Sequence, residues 1–117
     1  MKQNNKLLGR YGEILAAILL KLKGYRIQDH NYRNSFGELD IVAQKGRVLV
    51  FVEVKTRSSQ RYGQAAEAVG IQKQERIRRL ATAYLRHHGK DLYQTELRFD
   101  VIEVYPLFHV RHIKNCF

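Results

Sequence analysis

The stretch that most constrains this chain is Val48-Leu49-Val50-Phe51-Val52, followed at once by Glu53-Val54-Lys55. Five consecutive apolar residues rich in valine describe a strand covered on both faces, as when helices pack on either side of a sheet. Glu53 and Lys55 extend that strand. They are two apart, so the pleat puts both on one face. Charge at the end of a doubly covered strand is costly unless it is paired. This one segment therefore sets the architecture and marks where to look for chemistry.

The elements around it follow from periodicity. Leu7, Tyr11, Ile14, Leu15, Ile18 and Leu22 recur at helical spacing, which predicts a helix over 7–23 with Gly24 as its stop; Ala16, Ala17, Leu19 and Leu20 make its flanks apolar too, so it should pack against something broad, such as a sheet. A strand is expected over 25–33, a second over 38–44 with Leu39, Ile41 and Ala43 facing one way, and a two-residue turn at Lys45-Gly46. After the central strand come a polar loop over 56–63, a short helix over 64–69 and a long amphipathic helix over 71–88. Ile77, Leu80, Ala81, Tyr84 and Leu85 make the core stripe of that long helix. A last strand is expected over 96–104, and 107–117 reads as a fringe strand or a loose tail. The order predicts an α/β fold, a mixed central sheet of four to five strands flanked by helices. At 117 residues the chain is expected to form one domain, 1–117, with 1–6 frayed and 105–117 as a tail.

Composition narrows the function classes. A lone cysteine, Cys116, cannot form an internal bridge, and the longest apolar run, Ile14 to Leu20, is far too short to cross a bilayer. No small-residue cleavage site follows that run, so a cytoplasmic protein is expected, with no membrane partner. The net charge of +10 points to a polyanionic partner, nucleic acid before anionic membrane, with a merely solvated basic surface as the other reading. No phosphate-cradling glycine loop appears, and the histidines lack the cysteine partners of a zinc site.

Asp40 lies on the strand before Glu53. A hairpin with an even number of loop residues brings Asp40 to the face of Glu53 and Lys55; an odd number sends it away. With Lys45-Gly46 as the turn, Glu38 stands opposite Glu53 and Asp40 is one diagonal step off. Two carboxylates held close repel unless a cation sits between them. Oxygen ligands suit Mg²⁺ or Mn²⁺, and a nearby ammonium can stabilise the charge that builds on a phosphate under attack. The same residues also fit a structural ion-pair cluster, and both readings stand on the pattern alone.

The runs Gly37-Glu38-Leu39-Asp40-Ile41-Val42 and Val52-Glu53-Val54-Lys55-Thr56-Arg57, then Glu67-Ala68-Val69 and Lys73, resemble the YraN family. That family belongs to the restriction-endonuclease-like, PD-(D/E)XK superfamily. The twelve residues between Asp40 and Glu53-x-Lys55, with Gly9-Arg10-Tyr11-Gly12-Glu13 upstream, are also similar to archaeal Holliday-junction resolvases. The resemblance covers 9–104, with Leu39 where the superfamily's name has proline. It implies an αβββαβ core and a divalent-metal-dependent endonuclease, with DNA ahead of RNA as the nucleic acid and branched DNA as a candidate substrate. Asp40, Glu53 and the Val54 carbonyl would hold Mg²⁺ or Mn²⁺, Lys55 would be the catalytic ammonium and Glu13 would act through a water. Lys73, opening the long helix, would contact phosphate or the site. Arg57, Arg61 and Arg76 are further nucleic-acid-binding candidates. Junction cutting would favour a homodimer. The alternative is a nucleic-acid-binding protein that keeps the fold without turnover. By helical wheel Glu13 lies about 160° from the stripe of its helix, which makes it the outlier of the set, although the apolar flank of Ala16, Ala17 and Leu20 could still cover it.

Overall fold

The computed structural model describes residues 2–57, 69–91 and 94–117. Helix α1 (Lys2–Leu22) leads into three antiparallel strands, β1 (Arg26–Asn34), β2 (Gly37–Lys45) and β3 (Val48–Thr56). Helix α2 (Ile71–His87) then crosses back to β4 (Glu96–Tyr105), which runs parallel to β3, and β5 (His109–Ile113) closes the sheet antiparallel to β4. The five strands lie in sequence order, β1-β2-β3-β4-β5, in an α/β fold with a mixed sheet. The segment after Pro106 is thus a fringe strand. Residues 58–68, which hold Arg61 and most of the short helix expected over 64–69, lie outside the described residues.

β3 is covered on both faces as its composition requires. Leu49 and Phe51 pack with Ile77, Leu80, Ala81, Tyr84 and Leu85 of α2, while Val50 and Val52 pack with Ala16, Ala17 and Leu20 of α1. Gly46 takes φ 60° in the turn to β3, a conformation glycine adopts without a Cβ penalty. The turn is Gly46-Arg47, closed by Lys45↔Val48, rather than Lys45-Gly46. Moving it by one residue shifts the register by two, so the parity that fixes the faces is kept.

Two expectations fail, and the failures belong together. The apolar stripe of α1 is not its packed face: Ile14 is 53% exposed and Leu22 81% exposed, with Tyr11 and Ile18 beside them. The buried face is Gly12, Ala16, Ala17 and Leu20. Small residues let the helix axis come close to the sheet. A Cβ on Gly12 would stand 2.2 Å from Thr56 Oγ1. A count of large side chains thus picks the wrong face, because close approach selects small ones. The alternation of β2 also breaks: Ile41 and Ala43 pack toward α1, but Leu39 joins the α2 cluster. β2 pairs with β3 only as far as Ile41↔Val52, and across from Asp40 Asn31 of β1 adopts φ 52°. Released on one side and kinked on the other, the backbone switches faces at Asp40.

Opposite exposures on one helix give a direct check. Leu20→Ala should cost about 2–5 kcal/mol in urea unfolding, as a fully buried leucine does. Ile18→Ala should stay within about 1 kcal/mol of the wild type. The reverse order would return the packed face of α1 to the Tyr11–Leu22 stripe.

Candidate functional site

The place where β2 leaves β3 is where the carboxylates meet. Past the Ile41↔Val52 pair the ladder stops, and the freed Val54 N–H donates instead to Asp40 Oδ2 at 2.8 Å. A side chain thus replaces a strand partner, and the bond ties Asp40 to the strand that carries Glu53. Asp40 and Glu53 both line two adjoining cavities, of about 390 and 370 Å³, and Glu13 and Lys73 line both as well. Burial first, and the Glu53 charge second, push the Asp40 carboxyl up to about 8, against the pull of the Val54 N–H bond.

Glu13 belongs to this cluster, because the inverted packing of α1 turns it inward. Its carboxyl is raised above its ordinary value by burial, opposed by a hydrogen bond with Asn31. Asn31 was missed by sequence reading. Its signal was an asparagine inside a strand, a residue that tolerates the left-handed conformation and often marks an irregularity. Glu38 was placed opposite Glu53 by the assumed turn. The observed register sets it two residues further out, where it lines the outer cavity with Arg76, Ile77 and Leu80 and pairs with Arg33 at 2.9 Å.

The cations around the cleft differ in their partners. Lys73, in the first turn of α2, reaches Glu53 Oε1 at 2.5 Å. The partner of Glu53 is therefore a lysine from the covering helix, not Lys55 of its own strand. Lys55 lines the inner cavity with Val54 and Thr56 and makes no hydrogen bond or ion pair among the described residues. Arg76 lines the outer cavity. Arg57 is directed elsewhere: its Nε and Nη2 donate to Glu103 Oε2 at 3.1 and 3.0 Å, with the Tyr105 hydroxyl donating to the same oxygen at 3.0 Å. Asp100 is fully buried and bonded to Arg98 and His112, outside the cleft. Of the sequence candidates, the fold brings together Glu13, Asp40, Glu53, Val54, Lys55 and Lys73, sets Arg76 at the rim, and holds Arg57 apart.

Chemically, the cleft offers hard oxygen donors at its floor and ammonium groups on its walls. No group of three or more His, Cys, Asp or Glu side chains stands at metal-holding spacing among the described residues. The oxygen groups there are the Glu13, Asp40 and Glu53 carboxylates and the Val54 backbone. No helix among the described residues is long and apolar enough to cross a membrane.

Comparison with known proteins places the chain. The profile of a family described as "Uncharacterised protein family UPF0102" matches residues 12–104. A UPF0102 protein of Alkaliphilus oremlandii is 48% identical over 118 residues, covering 97% of this chain and 99% of its own. One of Alkaliphilus metalliredigens is 49% identical over 100 residues, covering 86% of each chain. A third, of Rhodococcus jostii, is 43% identical over 118 residues, covering 97% of this chain and 98% of its own. Among solved structures, Pyrococcus furiosus SfsA in complex with Ca²⁺ aligns with a TM-score of 0.34 at 15% identity, over 94% of this chain and 63% of that one.

The raised Asp40 carboxyl predicts a pH dependence. An aspartate that ordinarily titrates near 3.8 is held at about 8 in the fold, so between those values the folded chain keeps a proton that the unfolded chain has lost. Stability should therefore fall as pH rises across that window. Asp40→Asn keeps an acceptor for Val54 and removes the charge. It should flatten the slope and, at pH above 8, raise stability by at least about 1 kcal/mol, or roughly 4 °C in Tm. Thermal melts from pH 4 to 9 on both proteins check this; parallel curves would show that Asp40 carries no such proton.

Proposed function

The chain belongs to the UPF0102 family, the YraN proteins its sequence resembles, and from that premise we propose that it is a Mg²⁺- or Mn²⁺-dependent endonuclease acting on DNA. One observation carries this reading: Glu13, Asp40, Glu53 and Lys55, from two strands and a helix, line adjoining cavities in which burial first, and the Glu53 charge second, push the Asp40 carboxyl up to about 8. Such a site is short of positive charge, and a divalent cation would relieve it. Asp40, Glu53 and the Val54 carbonyl would hold the ion. When bound, Mg²⁺ or Mn²⁺ supplies Lewis acidity toward the phosphate and activates water.

The chain's own residues do the rest. Lys55, without a partner among the described residues, is available to the phosphate oxygens as charge builds on them, an interaction stronger in the transition state than in the ground state. Glu13, oriented by Asn31, would position the attacking water from the α1 side. Lys73 and Arg76 would bind the flanking phosphates at the start of α2. Asp40 has a second role, because its bond to Val54 fixes the distance between the two ligand strands. The net charge of +10 would draw a polyanion to a cleft that is itself acidic. Branched DNA is the proposed substrate class, since the Asp40 to Lys55 spacing is similar to that of junction resolvases.

A second reading is a nucleic-acid-binding protein of the same fold without turnover. The 2.5 Å pair between Lys73 and Glu53 favours it, because an internal ammonium already answers one of the carboxylates.

Nuclease assays on linear, flapped and four-way DNA with Mn²⁺ decide between them. The endonuclease reading expects cutting by the wild type and a loss of about 100-fold or more in each of Asp40→Asn, Glu53→Ala and Lys55→Ala. Salt-sensitive binding that persists in Asp40→Asn, with no cutting by the wild type, would establish the second reading instead. Cutting that is unchanged in all three variants would place the activity outside this cleft.

A further inference from the structure

At the far end of α1, about 15 Å along the helix axis from Glu13, a second polar cluster lies outside the carboxylate cleft. Lys23 follows α1 directly, and its Nζ stands 2.6 Å from Nδ1 of His112 on β5. Nε2 of the same ring stands 2.7 Å from Oδ2 of Asp100 on β4. Asp100 is fully buried and His112 is 4% exposed, while Lys23 reaches the surface. Arg98 and the Asn115 N–H take up both oxygens of the same carboxylate, each at 2.9 Å, and the Tyr25 ring packs edge-on to the imidazole. These contacts leave the imidazole a single orientation.

Protonation follows from that geometry. Although burial opposes it, bonds from His112, Arg98 and the Asn115 amide hold the Asp100 carboxyl below its ordinary value, so it only accepts. Nε2 must then carry its hydrogen toward Asp100, and Nδ1 faces Lys23. Two nitrogens 2.6 Å apart share one proton, because an ammonium and an imidazolium cannot both point a hydrogen into that space. The Asp100 carboxylate sits behind the ring, on the side away from Lys23. On the other side, burial and the neighbouring Lys114 and Lys45 lower the Lys23 amine, with Tyr25 and Asp100 opposing them. Lys45 of β2 is fixed there by its own bond to the Lys23 carbonyl at 2.8 Å.

We propose that Lys23, His112 and Asp100 form a relay that makes Lys23 a nucleophilic amine, a site of acylation by small activated acyl donors such as acyl phosphates. In the step, His112 Nδ1 takes a proton from the Lys23 ammonium and Asp100 stabilises the imidazolium. The Nζ lone pair attacks the acyl carbon, a C–N bond forms and the C–O bond to phosphate breaks. Phosphate leaves with the bonding pair and takes the second amine proton, and His112 returns the first to solvent. The product is a neutral amide where the junction of α1 and β5 had a cation.

Acetyl phosphate at limiting concentration, applied to the intact chain at pH 7 and followed by peptide mass spectrometry, tests this. Lys23 should be acetylated about tenfold or more faster than exposed Lys90, and the midpoint of its pH–rate profile should lie below that of Lys90. His112→Gln should slow Lys23 several-fold and leave Lys90 unchanged. Equal rates and midpoints for Lys23 and Lys90 in the wild type would overturn the proposal without recourse to any variant. Fast acetylation of Lys23 that survives in His112→Gln would overturn the relay.

Discussion

The hydrogen bond from the Val54 amide to Asp40 holds the candidate site together. An N–H freed at the end of a ladder and left buried would cost about 1–3 kcal/mol. Here the side chain of the diverging strand satisfies it. That choice has an electrostatic consequence. The same carboxylate that completes the backbone bonding is held beside Glu53, where one amide bond cannot offset both the burial and the neighbouring charge. The backbone geometry thus creates the charge problem, and a cation is the general solution to it.

The fold meets that problem in part with its own lysines. Lys73 answers Glu53 from the covering helix, whereas Lys55 faces the cavity with no described partner. The two ammonium groups therefore differ in what an incoming anion would find. Lys55 needs no bond broken before it can meet a phosphate, and Lys73 must be shared with a carboxylate or released from it. An ion arriving between Asp40 and Glu53 would displace the attraction that holds Lys73 and free it for the substrate. The basic surface and the acidic floor are thus complementary. Net charge would act on a polyanion over roughly a Debye length, whereas the local carboxylates act only within the cleft.

Most of this was legible in the sequence where period and composition agree. The doubly covered β3, the core stripe of α2 and the even parity of the β2–β3 turn follow from patterns a few residues long, and an error of one residue in placing the turn did not alter which face Asp40 shares. What was not legible depended on distance rather than on period. The packed face of α1 was misread because a stripe of large side chains looks like a core, while Gly12, Ala16 and Ala17 look like a flank. The break at Asp40 was hidden because Leu39-Asp40-Ile41 alternates well as a string; the kink comes from Asn31 on a different strand. The fit of Lys73 to Glu53 spans the undescribed 58–68 segment, and no local rule connects the two.

These misreadings explain why Glu13 looked like the outlier of the motif. Measured from the stripe of large residues it points away from the sheet; measured from the face of small ones it points into the cleft. The two statements describe one helix, and the approach at Gly12 decides between them: a side chain there would strike Thr56 and hold the axis off β3. A helix kept at the distance of leucine packing would leave the Glu13 carboxyl short of Asp40 and Asn31. Close approach therefore costs apolar burial on α1, leaving Ile14, Ile18 and Leu22 in solvent, and in exchange places a third carboxylate at the site. At about 25 cal/mol per Å² of apolar surface left exposed, that sacrifice is not small. The orientation of α1 is thus what brings Glu13 to the cavities that Asp40 and Glu53 line.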